Sequence, residues 1–148
     1  MKRFTYLAAL ALSLLLSNAS AAEVGSAEAV VQRQLDAYNA RDIEAFLATY
    51  SDDIELFNFP AAPRSKGKDA MRARYARLFG DQSLQATVTQ RIAMGNTVID
   101  REQVRLTLPQ GPATIDAVAI YEVKDGKIAT VTFIMGSQTV NGVAQAKP

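Results

Sequence analysis

Asp100 and Glu102 stand two residues apart in the stretch Thr97 to Leu108, whose alternation reads as a β-strand. Val98, Asp100, Glu102, Val104, Leu106 and Leu108 share one face of that strand, and Ile99, Arg101, Gln103, Arg105 and Thr107 share the other. The first face is the more apolar. If it lines an interior, two carboxylates about 6 to 7 Å apart project into apolar space. Repulsion and poor solvation then keep one of them protonated near neutral pH, so one serves as acid and the other as base. The competing reading leaves both at an open strand end, solvated or paired with Arg101 or Arg91. Asn58 joins the candidate catalytic set as a neutral amide that holds the substrate, since it cannot itself abstract a proton. Gln34 falls inside the helical stripe Val30, Val31, Leu35 and Tyr38, which aims a polar amide inward. With Asn58 and Tyr75 it forms a polar cluster that either orients a ligand carbonyl or hydroxyl, or merely satisfies its own hydrogen bonds. Tyr38, Leu56 and Ala119 complete the expected substrate contacts.

Composition narrows the chemistry. The 148 residues include no Cys, no His and no Trp. A thiol nucleophile, a disulfide framework and a Cys-based metal site are excluded, and the commonest general base and metal ligand is missing. The expected metal set is therefore none, and the expected cofactor set is none. Phosphate-loop, Walker and EF-hand patterns are absent from the sequence. The basic run Arg64, Lys66, Lys68, Arg72, Arg74 and Arg77 has only Asp69 against it. It either attracts an anionic ligand or a membrane surface, or forms the solvated face of a helix.

The amino terminus carries a targeting pattern. Lys2 and Arg3 precede an apolar stretch from Phe4 to Leu16, and small residues from Ser17 to Ala22 offer cleavage after Ala21 or Ala22. About 13 apolar residues fall short of the roughly 20 that span a bilayer, so residues 1–22 read as a secretory signal peptide and no membrane span is expected after cleavage. Removal takes Lys2 and Arg3 from the 16 basic residues and nothing from the 15 acidic ones, leaving a charge of −1. That balance gives no reason to expect a nucleic-acid partner. The expected organisation is a leader over 1–22, one domain over 23–140 and a flexible tail over 141–148, in a periplasmic or secreted protein.

The elements that must position these residues follow from periodicity. Ser26 can cap a first helix carrying Val30 to Tyr38, and Asp42 a second with Ile43, Phe46, Leu47 and Tyr50 on one stripe. Ile54 to Phe59 reads as a short strand stopped by Pro60 and Pro63, followed by a loop to Gly67. Lys68 to Phe79 places Met71, Tyr75, Leu78 and Phe79 on one face of a third helix. Leu84 to Met94, Thr97 to Leu108, Ala113 to Val123 and Lys127 to Met135 then read as antiparallel strands, with fraying after Gly136. Helices first and strands afterwards predict an α+β domain, three helices packed on a curved antiparallel sheet.

The element order, with Asp42-Ile43-Glu44-Ala45-Phe46, Tyr50-Ser51-Asp52-Asp53, Gly67-Lys68-Asp69-Ala70-Met71 and Asp125-Gly126-Lys127-Ile128, resembles the NTF2-like superfamily, and within it the SnoaL-like and ketosteroid-isomerase-like branch. The resemblance covers roughly residues 26 to 136 and implies a cone whose sheet wraps an apolar pocket closed by the helices. It also implies where an isomerase of this fold would carry its catalytic Tyr, base and oxyanion Asp: the matching positions hold Gln34, Asn58 and Ala119. None of the three can perform the inherited role. Asn58-Phe59-Pro60 is similar to the Asn-x-Pro element of limonene-epoxide-hydrolase-like members, but the positions of their Asp-Arg-Asp set hold Glu102, Val104 and Phe133.

The expected protein is thus an exported domain with a pocket for a small apolar or carbonyl-bearing molecule. Cofactor-free isomerase, dehydratase or cyclase chemistry would fall to Asp100 or Glu102, and a non-catalytic ligand-binding or protein-interaction module is the other reading. Phe57, Phe59, Phe79 and Phe133 could fill the pocket instead. A homodimer is expected through the face bearing Ile99, Arg101, Gln103 and Arg105.

Overall fold

The computed structural model describes residues 25–145; the expected leader lies outside the described residues. Helix α1 spans Ala27–Ala40. Its amino end is held by Ser26, whose hydroxyl accepts from the Ala29 N–H at 3.1 Å, and it stops where Arg41 turns left-handed at φ 58°. Asp42 at once caps α2, Ile43–Ala48, by accepting from the Ala45 N–H at 3.0 Å. Strands β1 (Tyr50–Asn58) and β2 (Ala62–Lys66) precede α3 (Lys68–Leu78), and β3 (Gln85–Met94), β4 (Thr97–Leu108), β5 (Gly111–Lys124), β6 (Lys127–Val140) and β7 (Val143–Gln145) complete the chain. Gly67, at φ 84°, makes the sharp entry into α3. Among the described residues no helix is long and apolar enough to cross a membrane.

The strands form one curved sheet in the order β2-β1-β6-β5-β4-β3, with β7 on β6. The three helices cover its inner face, as the periodicity predicts. One expectation is corrected: β1 runs parallel to β6, so the sheet is mixed. The chain between these two strands contains α3 and four other strands, ample length for the return that a parallel pair requires. The segment expected as a loop before Gly67 is instead β2, paired antiparallel to β1 at the sheet edge, where Pro63 lacks an N–H at no cost to the ladder. The expected fraying after Gly136 is corrected too, while residues 146–148 of the expected tail lie outside the described residues. Strand β6 continues to Val140, and Asn141-Gly142, both at positive φ, turn it into β7.

Apolar stripes from both layers meet in the core. Phe46, Ile54, Met71, Val98, Ile128 and Val131 are fully buried. Phe46 packs against Tyr75 at a ring separation of 4.6 Å and against Tyr50 at 5.0 Å, with Tyr38 and Phe79 closing the cluster. Asn39 ties the layers together. Its amide donates to the Ala86 carbonyl at 2.9 Å and accepts from the Ala86 N–H at 2.8 Å, so a side chain of α1 pairs with the outer edge of β3 as a neighbouring strand would.

Candidate functional site

The helices do not seal against the whole inner face of the sheet. Small side chains on β5 leave space there: Ala117 lies opposite Glu102 and Ala119 opposite Asp100. The result is a cavity of about 150 Å³, open to solvent on one side and walled by α1, α3 and strands β1 to β6. Gln34, Tyr38, Tyr75 and Glu102 of the expected site residues line it, joined by Tyr50 and Tyr121. Of the four phenylalanines that could have filled it, only Phe133 reaches the wall. Phe79 belongs to the aromatic cluster, Phe57 stands on the other face of β1, and Phe59 is 61% exposed.

Asp100 and Glu102 both point inward, as alternation predicts, at 1% and 8% exposure. Their environments differ. Asp100 receives two hydrogen bonds of 2.7 Å from Arg91, through Nε and Nη2, and Arg91 also donates to Gln32 at 2.7 Å. Such a fork on a fully buried carboxylate is a tight ion pair, and Asp100 is not part of the cavity wall. Pairing with Arg91 was one of the two outcomes the sequence left open for both carboxylates; it holds for Asp100 alone. It depends on a bulge between Val88 and Gln90, which puts Arg91 instead of Gln90 opposite Asp100 and so onto the inner face.

Glu102 faces the cavity without a cationic partner of its own. Burial raises its pKa from 4.5 to about 7, the Asp100 charge pushes the same way, and Arg91 pulls weakly down. Tyr38, Tyr50, Tyr75 and Tyr121 all feel the Glu102 charge, and burial drives each phenol upward. These hydroxyls are therefore neutral donors at ordinary pH. Gln34 is buried as expected, but its partner is the Tyr50 hydroxyl, not Asn58 or Tyr75. The site thus sets a protonatable carboxyl among four phenols and an amide, a set able to move a proton at one atom while donating hydrogen bonds to oxygen nearby.

Three further expected residues lie off the cavity wall. Asn58 accepts from Arg64 Nη1 at 3.3 Å, which makes it a support for that arginine. Leu56 and Ala119, at 1% and 0% exposure, are core residues beneath the cavity layer. Among the described residues no three His, Cys, Asp or Glu side chains converge as a metal site would require. Sequence reasoning missed Tyr121, although Ala117, Ala119, Tyr121 and Val123 alternate inward in plain view. It assigned Tyr50 to the core stripe, which is only half its position.

A sequence model of the SnoaL-like domain matches residues 31–131, most of the folded part. The chain belongs to the SnoaL-like domain family. Its architecture is the NTF2-like cone. Solved structures agree on the fold. An uncharacterized cystatin-fold protein from Novosphingobium aromaticivorans is 25% identical, with a TM-score of 0.68 over 74% of this chain and 97% of that one. An LEH-like epoxide hydrolase from M. tuberculosis is 19% identical, with a TM-score of 0.65 over 74% of this chain and 82% of that one. A ketosteroid-isomerase-like protein from Kribbella flavida is 24% identical, with a TM-score of 0.63 over 82% of each chain. No curated protein matches. This SnoaL-like domain keeps the cone and carries Glu102 with its phenols where the resemblance placed neither an isomerase base nor an intact epoxide-hydrolase set.

Proposed function

We propose that the cavity binds a small, mainly apolar, carbonyl-bearing molecule and that Glu102 transfers a proton on it, in a cofactor-free isomerisation, dehydration or cyclisation. The observation that carries this reading is a buried carboxyl, raised to about 7, inside a cavity ringed by neutral phenols. A group with that pKa exists in both forms at neutral pH and can give or take a proton at little cost. Tyr75 and Tyr121 supply hydrogen bonds to the oxygen on which charge develops. Asp100 acts through Glu102 by holding its pKa up, and Asn58 acts through Arg64.

The test uses 5-nitrobenzisoxazole, whose ring opens when a base removes its carbon-bound proton and the N–O bond breaks. The wild-type protein accelerates this reaction over buffer, with a rate that rises through pH 7 as Glu102 ionises. Glu102→Gln loses at least about 100-fold while the probe still binds. Equal rates in both proteins, with binding retained, leave the non-catalytic binding module as the reading.

The leader sequence supports export to the periplasm or medium. The convex face supports a homodimer: Ile92 is 58% exposed and Ile134 is 37% exposed there, beside half-buried Ile99, Val118 and Ile120.

A further inference from the structure

The basic run divides in the fold. Lys66 pairs with Glu55, Lys68 with Asp52 and Arg72 with Glu44, all at the surface, and Arg77 turns back onto the Ala73 carbonyl of its own helix. Arg64 and Arg74 remain. They come from different elements, β2 and α3, and both line the cavity. Among the described residues neither meets a carboxylate. Arg64 is half-buried, with its guanidinium 4.9 Å from the centre of the Phe133 ring and one hydrogen bond to the neutral Asn58. Arg74 lies 6.0 Å from the Tyr75 ring and close enough to Arg64 that its charge disfavours the charge on Arg64. Two cations on the wall of one cavity, one of them partly desolvated, form an unfavourable arrangement until an anion binds beside them. Tyr75 shares the cavity with this pair and with Glu102, and the charges of all three act on its hydroxyl.

We propose that Arg64 and Arg74 form an anion clamp at the cavity mouth, so that the ligand is an amphipathic acid whose carboxylate or similar anionic group is held there while its apolar body extends toward Glu102. This rests on the cavity being a binding site. The clamp fixes the ligand's polarity: the charged end stays at the mouth, and the reacting carbon lies at the far end, near Glu102. It also gives Asn58 and Phe133 a role beside Arg64. They hold a planar guanidinium by one amide acceptor and one ring, leaving its remaining N–H donors for the ligand.

The experiment uses two environment-sensitive dyes with one apolar body. Anilinonaphthalenesulfonate carries an anion and N-phenylnaphthylamine does not. On the wild-type protein the anionic dye binds at least about tenfold more tightly than the neutral one. R64Q/R74Q removes that advantage and leaves the neutral dye's affinity unchanged, which also reports that the cavity is still folded. K66Q/R77Q, which removes the same charge outside the cavity, keeps the advantage. Equal affinities for the two dyes in wild type, or equal losses in both double variants, overturn the clamp and leave the apolar pocket standing. Anionic-dye binding that survives R64Q/R74Q undiminished puts that dye at the surface and overturns the clamp. Failure of both dyes to bind overturns the clamp together with the pocket reading.

Discussion

At the residue scale, the two carboxylates of β4 show how one strand face can give two different chemical groups. Asp100 is compensated by the two-pronged Arg91 contact; Glu102, two residues on, is buried with a cavity in front of it and Asp100 behind. A carboxyl whose folded pKa exceeds its unfolded value favours the folded state when protonated. Its contribution is therefore intact below the unfolded value of 4.5 and is lost as pH rises toward about 7. Urea unfolding between pH 4 and pH 8 should show Glu102→Gln gaining on the wild type across that window, by on the order of 3 kcal/mol. No change in the difference between the two proteins would mean that Glu102 is not desolvated. Asp100→Asn should lower the Glu102 pKa toward the ordinary carboxylate range, because it removes the nearby negative charge and frees Arg91, and a carbon-detected NMR titration of the Glu102 carboxyl reads the shift directly. Breaking the pair should also destabilise the fold by about 3 to 5 kcal/mol, since it leaves a largely buried guanidinium unmatched.

At the element scale, α1 forms one wall of the cavity and is tied to the outer edge of β3. The two Asn39 hydrogen bonds to Ala86 make that tether, and Arg41 adds a longer one of 3.3 Å to the Leu84 carbonyl. Asn39→Ala should cost about 1 to 3 kcal/mol, because it strips partners from a buried N–H and carbonyl at the edge of β3. Asn39→Asp should recover part of the loss, since its carboxylate still accepts from the Ala86 N–H but cannot donate to the carbonyl. Chemical unfolding compares the two; equal losses would argue that packing, not pairing, holds this edge. The helices and most strands were legible in their periodicity, because each buries one stripe or one face. Strand β2 was not, because its prolines read as a stop and only the adjacent β1 edge makes them tolerable. Nor was β7, although Asn141-Gly142 is a strong hairpin signal; the expectation of a frayed tail passed over it.

At the scale of the whole molecule, the cone turns one face of its sheet to the helices and the cavity and the other to solvent. The outer face sets Ile92, Ile99 and Ile120 side by side on three adjacent strands, an apolar stripe flanked by Arg101, Gln103 and Glu122. If a second copy covers that stripe, Ile120→Glu should convert a dimer to a monomer in sedimentation while leaving the cavity and the Glu102 titration unchanged. A protein that sediments as a monomer at all concentrations would remove the homodimer from the proposal. The sequence by itself determined the layer architecture and the family, and it placed Asp100 and Glu102 inside, because burial of one face imposes a period that composition records along the chain. What only the tertiary structure decided was which residues confront one another. A single bulge in β3 carried Arg91 to Asp100 and left Glu102 to the cavity, and the meeting of β2 with α3 set Arg64 beside Arg74. Such encounters join positions far apart in the chain through strand register and packing, neither of which any local pattern of residues encodes.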